Sequence, residues 1–274
     1  MDLVHGKREL KRRTSVLCRG HLPSWQVTPS DQRRPELERI DIQILPVAVL
    51  TVKEWDEIWK LTQVYVETNR TFYEAKLRAF PEVALARTRS GVLVGIAAID
   101  VYRADFRSKT STIIFTSSVV IDEPYRRHNV IQRIGLRVYL RARLQHAFRP
   151  IYWFFDTFSY KSYGLLPRNF VEYWPRYDRP TPERQAALID HLAQNLYGAA
   201  WRPGQGIVER SGQKKLKPAT AAVDAKLLAD PNVRFFVTAN PGHQDGDMLV
   251  CLCPLTLKNW LYAASRAIRR RFRS

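Results

Sequence analysis

The chain has 274 residues, 45% of them hydrophobic, with 7 Trp, 12 Tyr and 12 Phe, enough to fill a sizeable core in one large domain. No run of about 18 apolar residues exists to span a bilayer, and the charged start Met1–Arg13 lacks the apolar segment of a secretory signal. Three cysteines exclude a disulfide framework, and a net charge of +18 points to an anionic partner.

Residues 1 to 38 read as a basic arm with Gly, Pro and Ser punctuation and no sustained period. From Ile40 to Leu50, Ile40, Ile42 and Ile44 alternate with polar residues and predict a strand. Thr51-Val52-Lys53-Glu54 has the form of a capping box. The helix it opens buries Val52, Trp55, Ile58, Trp59, Thr62 and Val66 and continues to about Phe80. Strands follow at 83–88, 92–102 and 113–121, with the short polar connections of an antiparallel meander. A basic helix covers about 130–148, an apolar strand 151–155, and a further helix 159 to about 173. Thr181-Pro182-Glu183 opens a helix to Tyr197. The Gly- and Lys-rich stretch 199–218 reads as a surface excursion, and 224–230 as a helical turn. Strands are predicted at 233–238 and 248–253, and an amphipathic helix at about 257–271. Cys251 and Cys253 share one face of their strand and are read as buried core thiols; no metal site is expected.

The third meander strand ends in Val119-Val120-Ile121-Asp122-Glu123-Pro124-Tyr125-Arg126-Arg127. This segment, with the element order over about residues 40–255, resembles the GNAT superfamily of acyltransferases. In that family the strand runs into a loop of the form Arg/Gln-x-x-Gly-x-Gly/Ala that wraps the pyrophosphate of coenzyme A. Such a loop works because successive backbone N–H groups at a helix N-terminus converge on phosphate oxygens. The corresponding residues are Arg126-Arg127-His128-Asn129-Val130-Ile131. Asn129 stands for the first glycine and tolerates the left-handed region, whereas Ile131 replaces the second small residue.

The resemblance implies an α/β fold with a mixed sheet of about seven strands flanked by helices. The pair 113–121 and 151–155 lies at its splayed middle, and a helical insertion at about 176–230 precedes the last two strands of a domain at 39–256. It also implies a donor site at Val119, Val120, Ile121 and Arg126 to Ile131 for acyl-CoA or an acyl-phosphopantetheine carrier. Asp122 and Glu123 are candidates for the general base. Leu166 stands where the family carries a Tyr that protonates the leaving thiolate, so Tyr160 and Tyr163 are the candidates for that acid. Asp156 is a further candidate for the base by position, and His243, in the loop between the last two predicted strands, is a candidate for the acceptor site.

The expected activity is acyl transfer from a thioester to an amine-bearing or lipid-like acceptor. The alternative is a non-catalytic module of the same fold that binds an anionic partner. Arg133, Arg137 and Arg141 form a basic stripe suited to an acyl carrier protein. In 257–274, Leu257, Trp260, Leu261, Ala264, Ile268 and Phe272 lie opposite Lys258, Arg266, Arg269, Arg270 and Arg273. That pattern suits an anionic membrane surface or packing on the sheet. No nucleic-acid reader motif is present. The expected location is the cytoplasm, peripheral to the inner membrane face.

Overall fold

The structure is a computed structural model that describes residues 39–210 and 212–271. The arm, Cys18, Phe272 and Arg273 lie outside the described residues.

The strands are β1 (Asp41–Pro46), β2 (Val66–Thr68), β3 (Glu82–Arg87), β4 (Leu93–Phe106), β5 (Lys109–Ile121), β6 (Ile151–Thr157), β7 (Trp201–Arg202), β8 (Ile207–Val208), β9 (Lys214–Leu216) and β10 (Met248–Pro254). The helices are α1 (Val52–Tyr65), α2 (Arg70–Arg78), α3 (Val130–Gln145), α4 (Tyr160–Tyr163), α5 (Leu165–Asn169), α6 (Glu183–Tyr197), α7 (Pro218–Ala221), α8 (Ala225–Leu228), α9 (Pro231–Ala239) and α10 (Leu257–Arg271).

Among the described residues, eight strands form one sheet in the order β1-β3-β4-β5-β6-β10-β8-β7. Every neighbouring pair is antiparallel except β5 and β6. A parallel pair requires a crossover, and α3 supplies it. Side chains alternate between two helical layers. Ala84, Ala86, Ile99, Ile114, Leu249, Cys251 and Cys253 pack with Val130, Ile134 and Val138 of α3 and with Tyr163 and Phe236. On the opposite face, Val83, Leu85 and Ile96 pack with Trp55, Ile58 and Leu61 of α1, while Ile113, Phe115, Phe154 and Val250 meet Leu188 and Leu192 of α6. The period of two therefore assigns each strand residue to one of two cores. Burial pushes both thiols, Cys251 and Cys253, upward in pKa.

The capping box is formed. Thr51 Oγ1 accepts from Glu54 N at 3.3 Å, and Thr51 N donates to Glu54 Oε2 at 2.8 Å. The helix it opens stops at Tyr65 rather than continuing, because Val66–Thr68 pair as a strand with β9. The segment 199–218 is likewise not a surface excursion. It supplies β7, β8 and β9, and it buries Trp201, Val208 and Lys214. The predicted strand at 233–238 is helix α9. Asp230 caps it by accepting from Asn232 N at 2.8 Å, and Pro231 occupies the first turn. The strand beyond β10 is β8, drawn from the insertion.

β9 is held from behind by Gly246, which has φ +99. A Cβ there would lie 2.2 Å from the carbonyl oxygen of Lys214. Gly246→Ala should therefore cost about 2 kcal/mol through backbone strain and displacement of β9, read as a lower urea midpoint at unchanged slope.

Candidate functional site

β5 and β6 pair from Thr112↔Ile151 to Thr116↔Phe155 and then part. Beyond that point β5 stays with β4 and β6 stays with β10, where Asp156 pairs with Val250. A bulge causes the divergence. The register shifts between Ile96 and Ala98, so that Ser118 and Val119 face the single residue Ala97, and Ser118 takes φ +49. Ser117, Ser118 and Val119 are half-buried along the opened edge. Past the last pair the Ser117–Val119 edge of β5 has no strand partner on the β6 side among the described residues, and Asp156 lies across the parting, which we call the cleft.

The loop at the end of β5 is built by its own side chains. Asp122 Oδ1 accepts from Tyr65 OH at 2.5 Å and from Glu123 N at 3.1 Å. Burial, and then the bond to Asp122, raises the Tyr65 pKa. Arg126 Nε donates to the Ile121 carbonyl at 3.1 Å, its guanidinium lies 3.6 Å from exposed Glu123, and it stacks 4.8 Å from the Tyr65 ring. Arg127 is exposed, and His128 meets Tyr125 edge-on. Asn129 turns the chain into α3 with φ +54. No side chain caps this helix, so its first backbone N–H groups carry no side-chain acceptor. Val130 is buried, and Ile131 packs half-buried against the core. Val120 is also buried, within the core on the α1 side.

The start of α4 belongs to the same neighbourhood. Arg126 acts electrostatically on both Tyr160 and Lys161. Burial, followed by Arg126, lowers the Lys161 pKa. Burial raises that of Tyr160, with Asp224 adding to the effect. Tyr163 has different company. It is fully buried against Phe235, Phe236 and Tyr173, and its hydroxyl donates to the Pro175 carbonyl at 3.1 Å. Burial drives its pKa far upward. Arg126 of the loop acts on Tyr160, but Tyr160, 8% exposed, lies in the same core as Tyr163. His243 is buried too; its Nδ1 lies 2.9 Å from the Asn240 carbonyl.

The far side of the cleft holds residues without a local sequence signal. Asp156, with a side chain 3% exposed, accepts from Ser117 Oγ at 3.4 Å and lies 3.5 Å from Arg210. Lys214 of β9 is 6% exposed; its Nζ donates to Ser118 Oγ at 3.3 Å and sits over the rings of Tyr73 and Phe158. Burial lowers its pKa to about 8, and Lys76 and Arg210 add to that shift against Asp156. Lys76 of α2 is lowered as well, first by burial and then by Arg210. Asp156 was visible as a strand end. Arg210 and Lys214 lay in the stretch read as surface, and only the pairing of β9 with β2 carries Lys214 inward.

The basic stripe of α3 reaches back to the sheet. Arg133 donates to the Ile40 carbonyl at 2.8 Å, Arg137 donates to that of Ile42, and Arg141 makes a two-pronged contact with Glu82. Among the described residues, no group of three or more His, Cys, Asp or Glu converges as a metal site.

The strand order, the single parallel pair and its bulged opening form a mixed sheet flanked by helices, the fold that the resemblance to GNAT proteins implies. No protein-family model and no curated protein matches the chain. Among solved structures it is similar to Escherichia coli ElaA, with 16% identity, covering 50% of this chain and 93% of that one at a TM-score of 0.30. It is also similar to a NatC complex bound to Gag peptide and CoA, with 13% identity, 79% and 99% coverage and a TM-score of 0.36. A Trypanosoma brucei acetyltransferase gives 15% identity, 53% and 100% coverage and a TM-score of 0.36.

Proposed function

We propose that this chain is an acyltransferase that moves an acyl group from a thioester, carried on coenzyme A or a phosphopantetheine-bearing protein, to an amine. The observation that carries this reading is the opened edge Ser117–Val119, which leads from Asp156 to the uncapped start of α3. The donor's phosphates would take the N–H groups of Val130 and Ile131 and the side chain of Arg127. Its pantetheine amides would pair with the free backbone of Ser118 and Val119. The thioester would then lie beside Ser117, within reach of Asp156. There the amine forms a bond to the carbonyl carbon and the C–S bond breaks. Asp156 holds the ammonium and relays its proton, and Tyr160 is the hydroxyl on the donor side that can return one to the thiolate. Asp122 and Glu123 act in this reading by shaping the loop, since Asp122 is already engaged by Tyr65 and Glu123 pairs with Arg126.

The test is calorimetry with coenzyme A. Arg127→Ala should weaken binding by about 1–3 kcal/mol, the worth of a charge-assisted contact, because this exposed arginine makes no ion pair or hydrogen bond among the described residues. Equal affinities for the two proteins would remove Arg127 from the donor site. No affinity in either would remove the thioester reading.

A membrane-facing role for α10 is supported by one observation. Leu257, Leu261 and Ile268 are exposed along the helix, while Trp260 packs against Tyr139 of α3 at 4.6 Å. α3 likewise exposes Leu136, Leu140 and Leu144, the last at 86%. Lys258 and Arg269 flank the α10 strip and suit an anionic lipid surface. Among the described residues no helix is long and apolar enough to cross a membrane. Removing α10 is an unsuitable test. The Asn259 side chain is fully buried and ties the helix to Val171, Glu172 and Pro254. Leu261→Glu with Ile268→Glu should instead abolish flotation with phosphatidylglycerol-containing vesicles and leave the melting temperature within a few degrees. Undiminished flotation would assign the strip no membrane role.

A further inference from the structure

The far side of the cleft has an imbalance of charge. Lys76 from α2, Arg210 from the loop before β9 and Lys214 from β9 converge on one carboxylate, Asp156. Lys76 comes from α2, and Arg210 and Lys214 from one later stretch of the chain that is held at two points. Arg210 is positioned through its backbone N–H, which donates to Asp247 Oδ1 at 3.0 Å, and its guanidinium stacks 5.0 Å from the Tyr197 ring. Lys214 is fixed by β9 pairing with β2. Asp156 offsets one positive charge of three. The remaining two are held in a half-buried place where water screens them poorly. Among the described residues, Arg210 Nε is buried without a hydrogen-bond partner, and no carboxylate pairs with Lys214 within ion-pair distance.

We infer that this side of the cleft binds an acceptor carrying an anionic group, a carboxylate or a phosphate, close to its reacting amine. Arg210 and Lys76 would hold the anion, Lys214 would supply positive potential from beneath, and Asp156 would take the ammonium. An ampholyte satisfies all four groups at once, because its amine pairs with the only carboxylate and its anion with the excess cations. A polyamine brings further positive charge to a cluster already in excess, and is disfavoured by the same Coulomb term. The amine half of this inference rests on the acyl-transfer reading. The anion half stands on the cluster alone.

Thermal shift separates the two. The full chain is titrated, at constant ionic strength, with phosphoethanolamine, ethanolamine, L-alanine, L-alaninamide and spermidine, with and without coenzyme A. Phosphoethanolamine and alanine distinguish phosphate from carboxylate. At least one of these two should raise the melting temperature by several degrees, while ethanolamine, alaninamide and spermidine should not. Arg210→Ala and, independently, Lys76→Met should each reduce the apparent affinity by at least tenfold; Lys76 is half-buried on α2, so that variant keeps the test valid if loss of Arg210 loosens the loop. A shift with or without coenzyme A supports the anion site even if the donor reading fails. With acetyl-CoA as donor, thiol release should be at least tenfold faster with the anionic member of each pair. Coenzyme A binding with no response to either anionic compound, or equal response to the neutral and cationic ones, overturns the inference while leaving the donor reading intact.

Discussion

Lys214→Met is expected to stabilise the fold at pH 7 by up to about 3 kcal/mol, the free-energy equivalent of lowering a lysine pKa from 10.5 to about 8. Lys214 is 6% exposed, its Nζ lies 5.4 and 5.7 Å from the centroids of the Tyr73 and Phe158 rings, and its side-chain hydrogen bond goes to Ser118. Methionine preserves most of the apolar stem and removes the buried charge. Loss of the Ser118 bond offsets about 1 kcal/mol of the gain. The sign follows from proton linkage. Between about pH 8 and 10.5 the unfolded chain binds more protons at this lysine than the folded chain, so wild-type stability rises with pH through that window. Below about pH 8 both states are protonated and the full penalty of burying the cation applies. Above 10.5 both are neutral and it is gone. Urea denaturation of both proteins at pH 7 and pH 10 should therefore show an advantage for the variant that shrinks at the higher pH. A variant less stable than wild type at pH 7 would mean that the ammonium contributes net stability in this cluster. A residue that costs stability where it sits is retained for function more readily than for folding, which agrees with its place at the cleft.

Asp156→Ala should act in the opposite direction, with a loss of about 3–5 kcal/mol, the range for removing one partner of a buried ion pair. The Asp156 side chain is 3% exposed and its removal leaves Arg210, Lys76 and Lys214 repelling one another without a counter-charge. The hydrogen bond from Ser117 across the parting strands is lost as well. Because the groups are coupled, adding Lys214→Met to Asp156→Ala should recover more than Lys214→Met gains alone, with an interaction of about 0.5–3 kcal/mol. Strictly additive effects in a double-mutant cycle would show that Asp156 and Lys214 do not sense each other.

Elements with a strong local signal were legible in the sequence. The capping box at Thr51 and Glu54, the apolar runs and short connections of β3 to β5, and helix α3 before β6 are each set by residues adjacent in the chain, whereas the pairing of β5 with β6 is what the resemblance implies. What stayed hidden depends on distant pairing. Val66–Thr68 continued the apparent helical period of α1, and only β9, about 150 residues later, draws it into a strand. Val233–Thr238 carries β-branched and aromatic residues that suit a strand, but the Asp230 cap and Pro231 start a helix before that preference acts. The turn into α3 could be read because Asn129 and the arginines follow a strand directly. The cationic cluster could not, because Lys76, Asp156 and the stretch that carries Arg210 and Lys214 lie far apart in the sequence. The arginine stripe of α3 showed its spacing but not its partners, which are carbonyls of Ile40 and Ile42 and the carboxylate of Glu82.

In the proposed function the opening between β5 and β6 receives an acyl thioester. The most direct measurement is a crystal structure of the full chain grown with a non-hydrolysable acetyl-CoA analogue. Pantetheine density is expected along Ser117 to Val119, phosphates at the backbone of Asn129 to Ile131, and the acyl group between Ser117 and Asp156. Ligand density elsewhere on the chain, or an empty cleft at saturating analogue, would contradict the proposed function.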